Sequence, residues 1–257
     1  MQLEGKSILV TGAARGFGQA ISAMAAEEGA RVAVADVNLA GVEAVAQGIR
    51  DRGGEAVAIE ANVSDVASID AMVDAVLAAF GGIDILANNA GITRVAPLLE
   101  ATERDWDSIM GVNAKGAFFV LHRVAREMVA RGRGGRIINM GSVVGKGGRA
   151  SNAAYAASKG AVLAFTYQAS SALAQHDICV NAICPGAAET EMFAGVRRQR
   201  AEASGQSYEE TTLATLAGVP LGRLIDPQDI ARLVVFLAGP GGRNVTGQTI
   251  NIDGGVL

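Results

Sequence analysis

Short apolar, β-branched runs alternate with longer Ala-rich stretches of helical spacing along almost the whole chain. That alternation is how a parallel sheet with crossover helices reads, and it confines the fold to the α/β class. The runs are KSILVT, ARVAVAD, EAVAIEA, IDILANNA, GRIINMGS, DICVNAICP and QTINID. They are largely apolar throughout, so both faces must be covered. This predicts a Rossmann-type doubly wound parallel sheet of about seven strands with helices on either side. Between the runs, residues 38–52, 65–80 and 102–131 carry helical periodicity, with Asn38, Ser64 and Thr102 as expected N-caps. A chain of 257 residues, 50% of them hydrophobic, can bury a large core. No repeat or linker divides it, so a single domain over 1–257 is expected. The pattern breaks once, at 187–220, where a charged helical excursion interrupted at Ser204-Gly205 follows a strand. Ligands bind at strand C-termini in open α/β sheets, so this segment is read as a substrate lid, with an oligomer contact as the alternative.

The charge balance narrows the partners. A net charge of −4, from 22 basic and 26 acidic residues, provides no sequence-wide basic field for nucleic acid or acidic lipid. No apolar run reaches the roughly 18 residues of a membrane span. The start, MQLEGKSILV, lacks a basic leader with a cleavage site, so a cytoplasmic protein with a small-molecule partner is expected. Cys179 and Cys184, in ICVNAICPG, fit neither a zinc site nor a redox CxxC and read as buried free thiols. No metal cluster is expected: His122 and His176 lie far apart, each at a surface or interface. The basic run at 123–136 is read as a solvated helix end, the alternative being a docking patch for an acidic carrier protein.

After the first strand comes TGAARGFGQAI, with Gly12, Gly16 and Gly18, Arg15 and Phe17 in the same turn. Glycines let the backbone approach a pyrophosphate, and the helix that follows offers free N–H groups and the positive end of its dipole. Asp36 ends the second strand about twenty residues on, where a carboxylate accepts ribose hydroxyls and repels a 2′-phosphate, favouring NAD. Arg15 argues the other way, since its guanidinium could pair with that phosphate; Asp36 is expected to prevail. In YAASK, Tyr155 and Lys159 are four apart and share a helix face. A free phenol titrates near pH 10. An ammonium about 4 Å away, at an effective dielectric near 20, favours the phenolate by up to roughly 4 kcal/mol. Ser142 closes the strand GRIINMGS, where its hydroxyl can donate to an oxygen that gains charge.

TGAARGFG at 11–18, Asp36, NNAG at 88–91, Asn113, Ser142, Tyr155 with Lys159, and PGAAET at 185–190 stand in one order along the chain. Together they resemble the short-chain dehydrogenase/reductase family over essentially the full length. The resemblance implies that Asn113 interrupts a helix and holds a water linking Lys159 to solvent, with Ser142, Tyr155 and Lys159 completing the catalytic group. It implies that Asn89, Ala90 and Gly91 pass the adenine ribose. Asn62 and Val63 take the adenine-contacting place where the family often has Asp-Val. After Pro185 and Gly186, Ala188 and Thr190 look like the residues that hold the carboxamide, Ala188 standing where a larger aliphatic residue is common. A homotetramer is implied as well, with helices near 102–131 and 152–175 pairing across one interface and QTINIDGG at a second.

The function expected is hydride transfer between NAD(H) and a secondary alcohol or ketone. A short polyol, sugar alcohol or diol is favoured, on the length of the lid and on polar residues around it: Lys146, Arg149, Asn152, Glu189, Glu191 and Arg197. The alternatives are an NADPH-dependent 3-oxoacyl-(acyl-carrier-protein) reductase and a non-catalytic dinucleotide-sensing or scaffold protein.

Overall fold

The structure is a computed structural model describing residues 1–147 and 153–256. All seven expected strands form: β1 (Ser7–Thr11), β2 (Arg31–Asp36), β3 (Ala56–Glu60), β4 (Ile85–Asn88), β5 (Gly135–Met140), β6 (Ile178–Pro185) and β7 (Thr249–Ile252). They make one parallel sheet in the order β3-β2-β1-β4-β5-β6-β7. The crossovers run outward in opposite directions from β1, so a crevice opens between β1 and β4 at the C-terminal edge.

The strand period of two divides the core. Ile8 and Val10 of β1, with Val32 and Val34 of β2, face one side. There they meet α1 (Gly16–Glu27), α2 (Leu39–Arg50) and α9 (Pro227–Ala238). Leu9, Ala33 and Leu86 face the other side, against α3 (Val66–Phe80), α5 (Ala117–Arg131) and part of α6 (Ala153–Leu173). Burying each Val, Leu or Ile side chain contributes roughly 1.5–3 kcal/mol, and this fixes the register, since a slip of one residue would exchange the two faces. The excursion at 187–220 contains α7 (Glu191–Ser204) and α8 (Tyr208–Ala217), separated where Gly205 adopts φ +69° and Ser207 with Glu210 forms a capping box.

Two local expectations change. The cap of α3 is Asp65, whose carboxylate accepts from Ala67 N at 3.1 Å, because the Ser64 hydroxyl is turned back to donate to Asn62 Oδ1. The stretch 102–131 is not one regular helix: α4 (Glu103–Met110), capped by Thr102, passes through a π-turn at Gly111–Gly116 into α5. Asn38 caps α2 as expected. Cys179 and Cys184 are buried free thiols, and His122 and His176 are exposed. Among the described residues, no helix is long and apolar enough to cross a membrane.

Candidate active site

At the C-terminal edge of the sheet a cavity of about 890 Å³ runs from the glycine turn to α7 and α8. Every expected site residue lines it except Gly18 and Asn113. Gly18 is buried behind the turn: a Cβ there would lie 2.3 Å from Gly12 O. Gly12 has φ +65°, and its Cβ would fall 2.7 Å from Ala90 Cα. These two glycines let the β1–α1 turn close on the end of β4. Asn89 secures the junction, its Nδ2 donating to Thr11 O at 2.9 Å and Gly12 O at 3.0 Å.

Asp36 stands at the tip of β2, its Oδ2 accepting from Ala14 N at 3.3 Å and its Oδ1 from Asn38 N at 3.0 Å. The carboxylate is thus held against the turn and faces the cavity. Arg15 remains exposed, and its Nη1 pairs with Glu191 Oε2 at 2.5 Å, in the first turn of α7. Asn62 lines the cavity with Val63, and its oxygen accepts from Ser64 N and Oγ. Pro185 ends β6, Gly186 N donates to Ile252 O at 2.8 Å, and Thr190 caps α7 by accepting from Phe193 N at 3.3 Å. Ala188 is buried and bridges to Ile225, a packing the sequence left open.

The other half of the cavity gathers Ser142, beyond the end of β5, with Tyr155 and Lys159 on α6, the residues expected to be catalytic. The cavity wall desolvates the Tyr155 phenol and pushes it up to about 12, against the pull of its hydrogen bond with Ser142. The same dry surroundings push the Lys159 ammonium down to about 8. Its Nζ donates to Met140 O at 2.7 Å and lies 5.7 Å from the Tyr155 ring centre. Burial thus sets the direction of the phenol's shift, and the one opposing pull is the Ser142 hydrogen bond rather than the expected effect of Lys159.

Asn113 sits behind the cavity within the π-turn. Its Oδ1 accepts from Ile92 N and its Nδ2 donates to Ile92 O, both at 2.8 Å, while Nδ2 also donates to Ser158 Oγ at 3.1 Å. Ser158 Oγ in turn donates to Tyr155 O. The side chain ties the chain after β4 to the helix of Tyr155 and Lys159. A Cβ on Gly91 would lie 3.4 Å from Asn113 Oδ1 and 3.5 Å from Lys159 Nζ, ordinary contact distances, so Gly91 borders both groups without being required by them.

A buried polar chain below the site escaped the sequence reading. Asn88 Nδ2 donates to Ala117 O and Asn139 Oδ1, Asn139 Nδ2 donates to Thr166 Oγ1, and Thr166 Oγ1 donates to Val162 O. Asparagines inside two otherwise apolar strands were its available signal.

The polar side chains expected around the substrate are mostly elsewhere. Lys146 Nζ donates to Thr249 O and Asn251 Oδ1, both at 2.6 Å. Arg197 is buried between the Phe193 and Tyr208 rings, and Glu189 borders a separate depression behind α7. Glu191 is at the rim with Arg15. Arg149 and Asn152 lie outside the described residues. The cavity wall beyond Ser142 and Tyr155 includes Ile92, Val95, Val144, Met192, Phe193, Val196 and Val219, with Thr93, Arg200, Ser204, Gln206, Thr211 and Thr215 as its polar members.

A glycine turn in which a Cβ at Gly12 or Gly18 would clash, and a carboxylate at the next strand tip, fit a dinucleotide. Fold and cavity together define a nicotinamide-dependent oxidoreductase. The chain belongs to the short-chain dehydrogenase family, whose model matches residues 6–201. It is 42% identical to a sorbitol dehydrogenase of Cereibacter sphaeroides over 255 residues, 99% of this chain and 98% of the relative. It is equally 42% identical to a 3-oxoacyl-(acyl-carrier-protein) reductase FabG of Vibrio cholerae serotype O1 over 256 residues, 100% and 99% of the two chains. The structure of a 3-ketoacyl-(acyl-carrier-protein) reductase from Brucella melitensis complexed with NADH superposes with a TM-score of 0.87 at 34% identity, covering 99% of each chain.

Proposed function

We propose that this enzyme is an NAD-dependent dehydrogenase of small secondary alcohols, acting on the alcohol or the corresponding ketone. The observation that carries the reading is the placement of Ser142, Tyr155 and Lys159 in one cavity with Asp36 at its far end. When bound, the nicotinamide supplies or accepts the hydride. Ser142 Oγ donates to the substrate oxygen as it gains charge, and Tyr155 Oη takes or returns the hydroxyl proton. Lys159, held by Met140 O, brings positive charge to that proton transfer. Asn113 is a positioning residue: through Ile92 and Ser158 it sets the backbone around Gly91 and α6. The segments α7 and α8 act as the lid, excluding water, with Val95 N donating to Gln199 Oε1 at 3.3 Å as one closing contact.

For the substrate, the sorbitol dehydrogenase relative supports a polyol, sugar alcohol or diol. The apolar wall narrows this to a short diol or secondary alcohol with one apolar flank. A 3-oxoacyl chain would also suit that wall, and the Vibrio relative supports it. Three of the five arginines at 123–136 that would dock its carrier are already engaged, however, while Arg126 and Arg133 stay exposed. Arg123 pairs with Asp70, Asp74 and Glu127, Arg131 pairs with Asp84, and Arg136 donates to the Gly135 and Asp177 carbonyls. A cytoplasmic homotetramer remains the expected state. Exposed Trp106, Phe118 and Tyr167 on the helices named for pairing support the assembly.

Specificity constants for NAD and NADP, measured with an active alcohol from a screen of diols, polyols, hydroxy acids and ketones, test the proposal. NAD is expected to be preferred, and Asp36→Ala to narrow the gap. A preference for NADP in the parent enzyme would overturn the cofactor assignment.

A further inference from the structure

Two carboxylates and one guanidinium border the nucleotide end of the cavity, and their pairing is not the one their sequence spacing suggests. Asp36, 21 positions from Arg15, has both oxygens turned to backbone donors, Ala14 N and Asn38 N. Arg15 reaches across to α7 and pairs with Glu191, 176 residues away in the chain. We propose that Glu191 is a cofactor-specificity residue: by holding Arg15 against α7, it keeps the only guanidinium of the glycine turn away from a 2′-phosphate placed beside Asp36.

The inference rests on the proposed NAD preference and deepens it. Asp36 acts by repulsion, which requires only its own charge. Repulsion alone leaves Arg15 able to offset it, because a guanidinium on a flexible side chain can offer a phosphate a bidentate, charge-assisted contact. Glu191 removes that compensation by competing for the same donors. The geometry suits competition: Glu191 lies in the first turn of α7, where a carboxylate is also favoured by the helix dipole, so it is held in place when Arg15 is absent. Both side chains are more than 70% exposed, so the pair is screened and its effect is moderate. Exposed pairs of this kind correspond to roughly a two- to fivefold change in a binding constant.

Equilibrium titrations with NADH and with NADPH, followed by nicotinamide fluorescence, read this without turnover. They would use the parent enzyme, Glu191→Ala, Arg15→Ala and the double variant. Expected is a roughly two- to fivefold fall in the NADPH:NADH ratio of dissociation constants for Glu191→Ala, and no such fall when Arg15→Ala is already present. Glu191→Gln, which keeps the side chain's length, should act in the same direction. An unchanged ratio in Glu191→Ala would overturn the proposal. So would an equal fall in the presence and absence of Arg15, since Glu191 would then act by direct repulsion. The parent enzyme's own ratio separately tests the NAD assignment, so failure of one reading is distinguishable from failure of the other.

Discussion

Lys159 Nζ lies 5.7 Å from the centre of the Tyr155 ring and donates to Met140 O at 2.7 Å, so the ammonium is anchored to the end of β5 beside the phenol. This arrangement has a cost that pH should reveal. Burial pushes Lys159 down to about 8 from its ordinary 10.5. Between those values the unfolded chain keeps a proton that the folded chain has released, so this group adds stability as pH rises through the window. Tyr155 acts in the opposite sense, but only above its ordinary value of 10, because its folded phenol is raised. Denaturant unfolding at pH 7.5 and 9.5 should therefore show the parent enzyme gaining on Lys159→Met, by up to about 2 kcal/mol. Parallel pH profiles for the two proteins would contradict a buried, destabilised ammonium.

Tyr155→Phe should abolish turnover with any substrate the parent enzyme oxidises. Phenylalanine keeps the ring that lines the cavity and deletes only the transferable proton. NADH affinity, read by fluorescence titration, should stay within about threefold of the parent. A variant turning over at parent-like rates would remove Tyr155 from the mechanism.

The polar chain under the site should be a stability element rather than a catalytic one. Thr166→Val preserves shape but removes the acceptor of Asn139 Nδ2 at 3.0 Å, leaving a buried amide donor without its partner. The expected loss is about 1–3 kcal/mol in urea unfolding, with little change in KM. Unchanged unfolding would mean that Asn139 finds another acceptor.

What could be read from the sequence is what short stretches decide by themselves. The seven strands announced themselves because two-sided burial demands continuous apolar runs. The glycine turn, Asp36 and the Tyr155–Lys159 pair depend on spacings within one strand, turn or helix. The hidden features depend on contacts far apart in the chain. Lys146 looked like a substrate contact in its own loop, but residues 103 and 105 positions away capture its ammonium. Arg197 reads as a charged lid residue, yet α8 folds over it and buries it between two rings. Asn113 was placed by resemblance alone, since its bonds to Ile92 and Ser158 exist only once a π-turn brings α6 and the β4 end together. Even the one-residue change of cap from Ser64 to Asp65 reflects a competing acceptor, Asn62.

The substrate prediction follows from that same difference between charges in sequence and charges in the cavity. Lys146, Glu189 and Arg197 do not line the cavity, and the wall past Ser142 and Tyr155 is dominated by Val144, Met192, Phe193 and Val196. Each methylene seated on such a wall contributes roughly 0.8 kcal/mol, about a fourfold gain in kcat/KM, whereas a hydroxyl pressed there loses its water without a partner. Across a series of secondary alcohols and vicinal diols, kcat/KM should rise with the length of one alkyl arm until the space below α7 is filled. A hexitol should be oxidised more slowly than a short diol bearing an alkyl group. Widening the wall by Phe193→Ala should lower kcat/KM for the alkyl diol by about tenfold or more, while changing that for the hexitol far less. If the hexitol were the best substrate and Phe193→Ala harmed both equally, the apolar-flank assignment would be wrong.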